Sequence, residues 1–265
     1  MNTSLESLIK HKLLGLPVLA SEHGGKVDSL IIYVHALMAV LFVGWFAYFV
    51  FAIVRFRKSR NPKADYVGVK GHMSSYLEVG VALIEAILLL GFAVPLWAQV
   101  VSNPPSEKDS TVINVLGRQF NWNGHYAGLD GKMGRQSAAL SSGSDPFGVD
   151  RKGDPDAKDD VVVQGNFVVP VNKNVLINVT SLDVIHSFAV QSMRVCQDAT
   201  PGLRVSTWFK PVELGEYRIT CAQLCGNSHY AMFGTLKVVS QADYDKWLNE
   251  QSTKAKGATA PVSYE

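Results

Sequence analysis

The sequence predicts a membrane-anchored all-β protein, with a two-helix transmembrane hairpin near its N-terminus and a β-sandwich or barrel beyond it. Three observations predict this. Ser29 to Val54 contains no Asp, Glu, Lys or Arg. A second apolar run, Tyr76 to Val101, follows after a strongly basic link. From Thr111 to Val239 the apolar residues fall instead in short β-rich runs, separated by Gly, Pro, Asn and Asp clusters.

Residues 1–28 form an N-terminal extension. Lys10 and Lys12 precede an apolar stretch, Leu13 to Ala20, that ends in the small-residue pattern Val18-Leu19-Ala20, as a signal peptide would. Pro17 interrupts that short stretch. The preferred reading is an uncleaved, partly amphipathic extension lying on the outer membrane surface.

Residues 29–101 form the hairpin, with helices at about 29–54 and 76–101 and a link at 55–75. The first run spans roughly 39 Å as a helix, enough to cross a bilayer with some tilt. It is apolar all round, which opposes a buried hairpin in a soluble protein. The second carries Pro95, Leu96 and Trp97 near its outer end, and two acids, Glu78 and Glu85. The link holds Arg55, Arg57, Lys58, Arg60, Lys63 and Lys70 against one acid, Asp65. By the positive-inside rule the link is cytoplasmic, so both termini and the β domain face the periplasmic side. The net charge of +2 is thus a matter of topology. Membrane lipid is an expected partner and nucleic acid is not.

Residues 102–240 form the outer domain. Its best strand candidates are Thr111–Leu116, Val161–Val169, Asn174–Thr180, Val205–Phe209, Glu216–Thr220 and Gly234–Val239. Between them, 128–160 is rich in Gly, Ser, Asp and Lys and reads as a solvated surface insertion, whose acids would otherwise attract a basic partner. Residues 241–265 begin with a capping box, Ser240 and Asp243, opening a short helix to Leu248 ahead of a polar, frayed tail.

The chemistry is concentrated in Cys221-Ala222-Gln223-Leu224-Cys225-Gly226-Asn227-Ser228-His229-Tyr230-Ala231-Met232, with a further imidazole at His186. Cys221 and Cys225 are spaced to form a disulfide, but His229 and Met232 beside them argue for thiolates on a metal. Cys196 is left over, with nothing around it to mark it as reactive. Four sites compete. Zinc is satisfied by Cys221, Cys225, His229 and His186 and has no use for Met232. A blue-copper site leaves one cysteine unexplained, and an iron–sulfur cluster wants more cysteines. A dinuclear copper centre uses every ligand: two bridging thiolates, an imidazole per metal, a thioether and a backbone carbonyl. Such a site is an electron port with no open position for substrate. The chain contains no Cys-x-x-Cys-His, so no covalently attached haem is expected in it.

These residues resemble subunit II of the haem–copper cytochrome c oxidases. The resemblance is carried by Thr180-Ser181-Leu182-Asp183-Val184-Ile185-His186-Ser187-Phe188, by Asp198-Ala199-Thr200-Pro201-Gly202, by Thr207-Trp208-Phe209 and by the Cys221–Met232 segment. It covers nearly the whole chain and implies a cupredoxin-like Greek-key barrel holding the dinuclear copper centre called CuA. It implies His186, Cys221, Cys225, His229 and Met232 as side-chain ligands and residue 223 as a ligand through its carbonyl. Most of the family has Glu at that position, whose carboxylate also binds magnesium. Here it is Gln223; the carbonyl role survives, while a neutral amide is a poorer ligand for a hard cation.

The resemblance also places Glu78 at the cytoplasmic mouth of a proton pathway. Glu85, about two turns deeper, stands where the family commonly has Pro and receives no role. Gly117-Arg118-Gln119-Phe120-Asn121-Trp122 resembles an aromatic segment whose first Trp receives the electron from docked cytochrome c; here that position is Phe120, and Trp122 is retained. Either the change is a plain apolar substitution, or the donor interface is altered toward a membrane-bound quinol-oxidising complex or its attached cytochrome. The expected partners are the haem-bearing subunit I, further oxidase subunits and a cytochrome c-type donor. Three alternatives fit less well. Quinol-oxidase subunit II lacks the copper ligands, a membrane-tethered copper carrier needs exchangeable metal, and nitrous oxide reductase lacks the two-helix anchor.

Overall fold

A computed structural model describes residues 12–63, 66–68 and 70–259. Lys10, Asp65 and the tail beyond Thr259 lie outside the described residues. The chain divides into a helical unit, Lys26–Gln99, and a β unit made of the N-terminal residues through Gly25 and everything from Val100.

In the helical unit, α1 runs Gly24–Phe56 and α2 runs Met73–Leu88, continuing through a π turn, Leu89–Ala93, into a final segment, Val94–Val101. Both helices extend beyond their apolar runs, because hydropathy marks the span and not the end of hydrogen bonding. The π turn has a local cause: Pro95 has no N–H for the Gly91 carbonyl and its ring needs room, so the preceding turn widens instead of breaking. Tyr33 meets Phe92 edge-on at 5.9 Å, and the Lys26 Nζ donates to Gln99 Oε1 at 2.8 Å. The side chains of the apolar windows point outward from the pair, and both helices are candidate membrane spans.

The β unit is a cupredoxin-like sandwich of ten strands. They are β1 Ser110–Arg118, β2 Asn121–Tyr126, β3 Val161–Gln164, β4 Asn166–Pro170, β5 Asn174–Ser181, β6 His186–Val190, β7 Val195–Ala199, β8 Val205–Phe209, β9 Gly215–Cys221 and β10 Phe233–Val239. One sheet has the order β3-β2-β1-β5-β8, the other β4-β10-β9-β6-β7. β1 pairs parallel with β5, and β4 parallel with β10; the remaining neighbours are antiparallel. Ile113, Val115, Trp122, Phe167, Phe188 and Leu236 fill the space between the sheets.

Five expectations change. Val161–Val169 is not one strand: Gly165, at φ +71°, lets the chain leave the first sheet after Gln164 and join the second at Asn166. β2, β6 and β7 were absent from the expected set; β6, His-Ser-Phe-Ala-Val, is buried throughout and shows no alternation.

The segment 128–160 is not simply a solvated loop. Phe147, Val149 and Ala157 form a small second core with Leu116 of β1. Asp160, fully buried, accepts from the His125 Nε2 at 2.7 Å and from the Gly134 N–H at 2.8 Å. Most of its other acids satisfy backbone N–H groups in turns, as Asp159 does for Leu129 and Asp154 for Arg135. They are structural acceptors more than a surface for a basic partner.

Residues 17–22 pack as part of the β unit. Ala20 is buried and trades hydrogen bonds with Ser192 and Val212, and Ser21 donates to the Met193 carbonyl at 2.7 Å. The last helix, α3, runs Gln241–Thr259, well past Leu248. Ser240 caps it, accepting from the Asp243 N–H at 3.1 Å, and Trp247 packs on Tyr126 with ring centroids 5.2 Å apart.

Candidate metal centre

The site lies where β6 begins and β9 ends. His186 is the first residue of β6 and Cys221 the last of β9, and the loop 222–232 joins β9 to its antiparallel neighbour β10. Hydrogen bonds close this loop at its base, where the Cys221 N–H donates to Met232 O at 3.2 Å and the Ala222 N–H to Ser187 O at 3.0 Å. Within it, Gly226 turns the chain at φ +134° and a single 3₁₀ turn, His229–Ala231, aims the later residues back inward. The loop is thereby folded so that residues four, four and three apart face one point.

The donor atoms converge. The thiols of Cys221 and Cys225 are free, with their sulfurs 3.8 Å apart. His186 presents Nδ1 to Cys221 Sγ at 3.9 Å, and His229 presents Nδ1 to Cys225 Sγ at 3.5 Å. Met232 Sδ lies 3.7 Å from Cys225 Sγ, and the Gln223 carbonyl 3.2 Å from Cys221 Sγ. With metal–ligand bonds of about 2.0–2.3 Å, atoms sharing one ion stand roughly 3.3–3.8 Å apart, so the donors fit without large movement. His186, Cys221 and Cys225 form a mutual cluster with all ligand atoms within 4.8 Å, a set that can hold copper. The distribution is two-sided: one imidazole and a carbonyl against Cys221, the other imidazole and the thioether against Cys225.

Burial, then the neighbouring Cys221 thiol, pushes the Cys225 thiol up to about 11, so a metal must displace a tightly held proton. Partial burial pushes the Asp183 carboxyl up, but hydrogen bonds from Gln119, His186 and Val184 together outweigh it and hold the group below its ordinary value. Asp183 Oδ1 accepts from His186 Nε2 at 2.8 Å, which fixes the ring and leaves Nδ1 free toward sulfur. Asp183 sits inside the quoted His186 motif, yet no role follows for it from sequence alone; its spacing of three before a ligand histidine is the signal that marks it.

The remaining candidates lie elsewhere. Trp122 is fully buried, with its ring edge-to-face against His186 at 5.9 Å and against Phe188 at 5.3 Å. Phe120 is half-buried and reaches the surface beside the loop. The Gln223 side chain is exposed. Glu78 belongs to the helical unit, five residues after the start of α2.

A family model of the cytochrome c oxidase subunit II periplasmic domain matches residues 111–239. The alternative cytochrome c oxidase subunit 2 of Bradyrhizobium diazoefficiens is 30% identical over 233 residues, covering 87% of this chain and 82% of that protein. Cytochrome c oxidase subunit 2 of Cereibacter sphaeroides is 32% identical over 228 residues, covering 80% and 70%. Among solved structures, the periplasmic domain of cytochrome oxidase subunit II from Bradyrhizobium japonicum is 29% identical, with a TM-score of 0.42, over 57% of this chain and 99% of that one.

Proposed function

This chain belongs to the cytochrome c oxidase subunit II family and is a subunit of a haem–copper oxidase complex, and from that premise we propose that it is the complex's electron-accepting subunit. It takes electrons from a cytochrome c-type donor at a dinuclear CuA centre and hands them to haem in subunit I, where oxygen is reduced and protons are pumped. The observation that carries this reading is the thiol pair with one imidazole on each side. When bound, a copper pair sharing two thiolates supplies one-electron relay chemistry with little reorganisation.

The chain's own residues do the rest. Cys221, Cys225, His186 and His229 would hold the copper pair, with Met232 and the Gln223 carbonyl as its weaker ligands. Asp183 holds the His186 ring. Buried Cys225, Met232 and His186 keep water from the sulfurs. Phe120, at the surface beside the ligand loop, is where a donor makes contact; Trp122 lies behind it as packing for His186. The amide at Gln223 argues against a strong magnesium site. Glu78, near the basic link, opens a proton pathway from the cytoplasmic side, with both termini and the copper domain on the periplasmic side.

Rapid mixing of the oxidised complex with reduced cytochrome c tests this reading. The copper electron spin resonance signal should fall before haem is reduced, and Cys225→Ser should abolish both events. Haem reduction at an unchanged rate in Cys225→Ser would contradict it. Turnover with several soluble cytochromes examines the donor: fast, salt-sensitive turnover with an ordinary soluble cytochrome c would set aside an altered interface at Phe120.

A further inference from the structure

The two ligand-bearing segments, 183–186 and 221–232, approach from different strands, and one residue of the turn between β1 and β2 touches both. The Gln119 backbone N–H donates to Asp183 Oδ2 at 2.7 Å. Its side-chain Nε2 donates to the carbonyl oxygen of Cys225, also at 2.7 Å. The other oxygen of Asp183 accepts from His186 Nε2 at 2.8 Å. A continuous hydrogen-bonded path thus runs from the Cys225 carbonyl through Gln119 and Asp183 to the His186 ring. The turn lies flush against the loop: a Cβ at Gly226 would come within 2.8 Å of Gln119 Nε2 and within 3.0 and 3.1 Å of the Phe120 ring.

We propose that Gln119 is a positioning residue that clamps the His186 segment to the Cys225 loop and fixes their spacing. The proposal rests on the copper-centre reading above, since the spacing it fixes is that of the donors on the two sides. His186 and Cys225 are 39 positions apart in the chain; the Ala222 N–H to Ser187 O bond ties the base of the loop to β6, and Gln119 supplies a further tie at Cys225 itself. Its two arms act differently. The backbone arm carries negative charge on its acceptor, is charge-assisted and survives side-chain replacement. The amide arm is neutral and is lost when the side chain changes. Holding the loop closed before metal arrives removes part of the ordering that binding would otherwise require, and slows the opening through which metal leaves.

The test compares the parent oxidase complex with Gln119→Leu, which keeps side-chain bulk and removes the donor, and Gln119→Glu, which sets a carboxylate against the Cys225 carbonyl. Two readouts are taken. In the copper-loaded complex, loss of copper to excess chelator should run about fivefold faster or more in Gln119→Leu, and faster again in Gln119→Glu, with the electron spin resonance hyperfine pattern altered. In the metal-free complex, hydrogen exchange at 222–232 should accelerate by a similar factor in both variants, while exchange in the β5 and β9 interiors is unchanged. Copper loss and loop exchange both within twofold of the parent would overturn the clamp. The metal-free readout separates the two ideas: accelerated exchange in a chain whose parent holds no copper pair would sink the copper reading and leave the clamp standing as a loop brace.

Discussion

At the scale of single residues, Cys225 and Asp183 govern the site in opposite ways. Cys225 Sγ stands within 3.8 Å of three other donor atoms, and burial holds its proton in place until metal arrives. Asp183 accepts hydrogen bonds from Gln119, Val184, His186 and Ser181, and its carboxyl is held below its ordinary value. Removing the carboxylate with Asp183→Ala frees the His186 ring to rotate and should weaken copper binding about 10–100-fold, measured by competition with a chelator of known affinity. Retention within twofold would mean that packing against Trp122 alone orients the ring. The converging donors were legible because soft donors at spacings of four, four and three have few other uses. Asp183 and Gln119 were not: the spacing of three that marks Asp183 gains meaning only once its hydrogen bond to His186 is seen, and Gln119 lies 106 positions from the carbonyl it meets.

Elements were legible where one physical pattern dominated. The apolar hairpin and the strands β1, β5 and β8 to β10 follow from charge-free runs and β-rich segments bounded by turn residues. The 128–160 segment failed that reading because its polarity is turned inward. His125 and Asp160, both fully buried, hydrogen-bond to each other, and Gln136 Nε2 meets His125 Nδ1 at 2.7 Å. Asp160→Ala leaves His125 Nε2 and the Gly134 N–H without an acceptor in the interior. It should cost about 3 kcal/mol in denaturant unfolding of the solubilised chain and open 128–160 to protease. A loss below 1 kcal/mol would return the segment to the status of a loop.

The terminal helix gives a pH test. Burial pushes Tyr244 up to about 12, and burial also raises Tyr126, beneath Trp247. A folded-state value above the unfolded one means that the contribution is complete below about pH 10 and fades as pH rises toward 12. Tyr244→Phe should therefore flatten the fall in stability between pH 10 and 12 while leaving neutral-pH stability within about 1 kcal/mol. An unchanged alkaline slope would show that Tyr244 is not the group responsible.

At the scale of the whole molecule, the chain joins two physical regimes. Its helices present apolar side chains outward and its sandwich encloses a sulfur-rich pocket. The fold class was legible because each regime writes its own pattern. The ties of residues 17–22 to the β unit were not, since a short apolar stretch beside Lys residues carries the pattern of an amphipathic extension or a leader and none for its partners in the sheets. The proposal that the molecule is an electron port, and not a copper store, rests on the two-sided donor set: each thiol has its own imidazole, and the two sulfurs lie 3.8 Å apart.

That claim is tested most directly by copper stoichiometry taken together with the electron spin resonance spectrum of the purified oxidised complex. Two coppers at this site per chain, with one unpaired electron coupled equally to both nuclei, is the predicted result. One copper per chain, or an unpaired electron confined to a single nucleus, would contradict it.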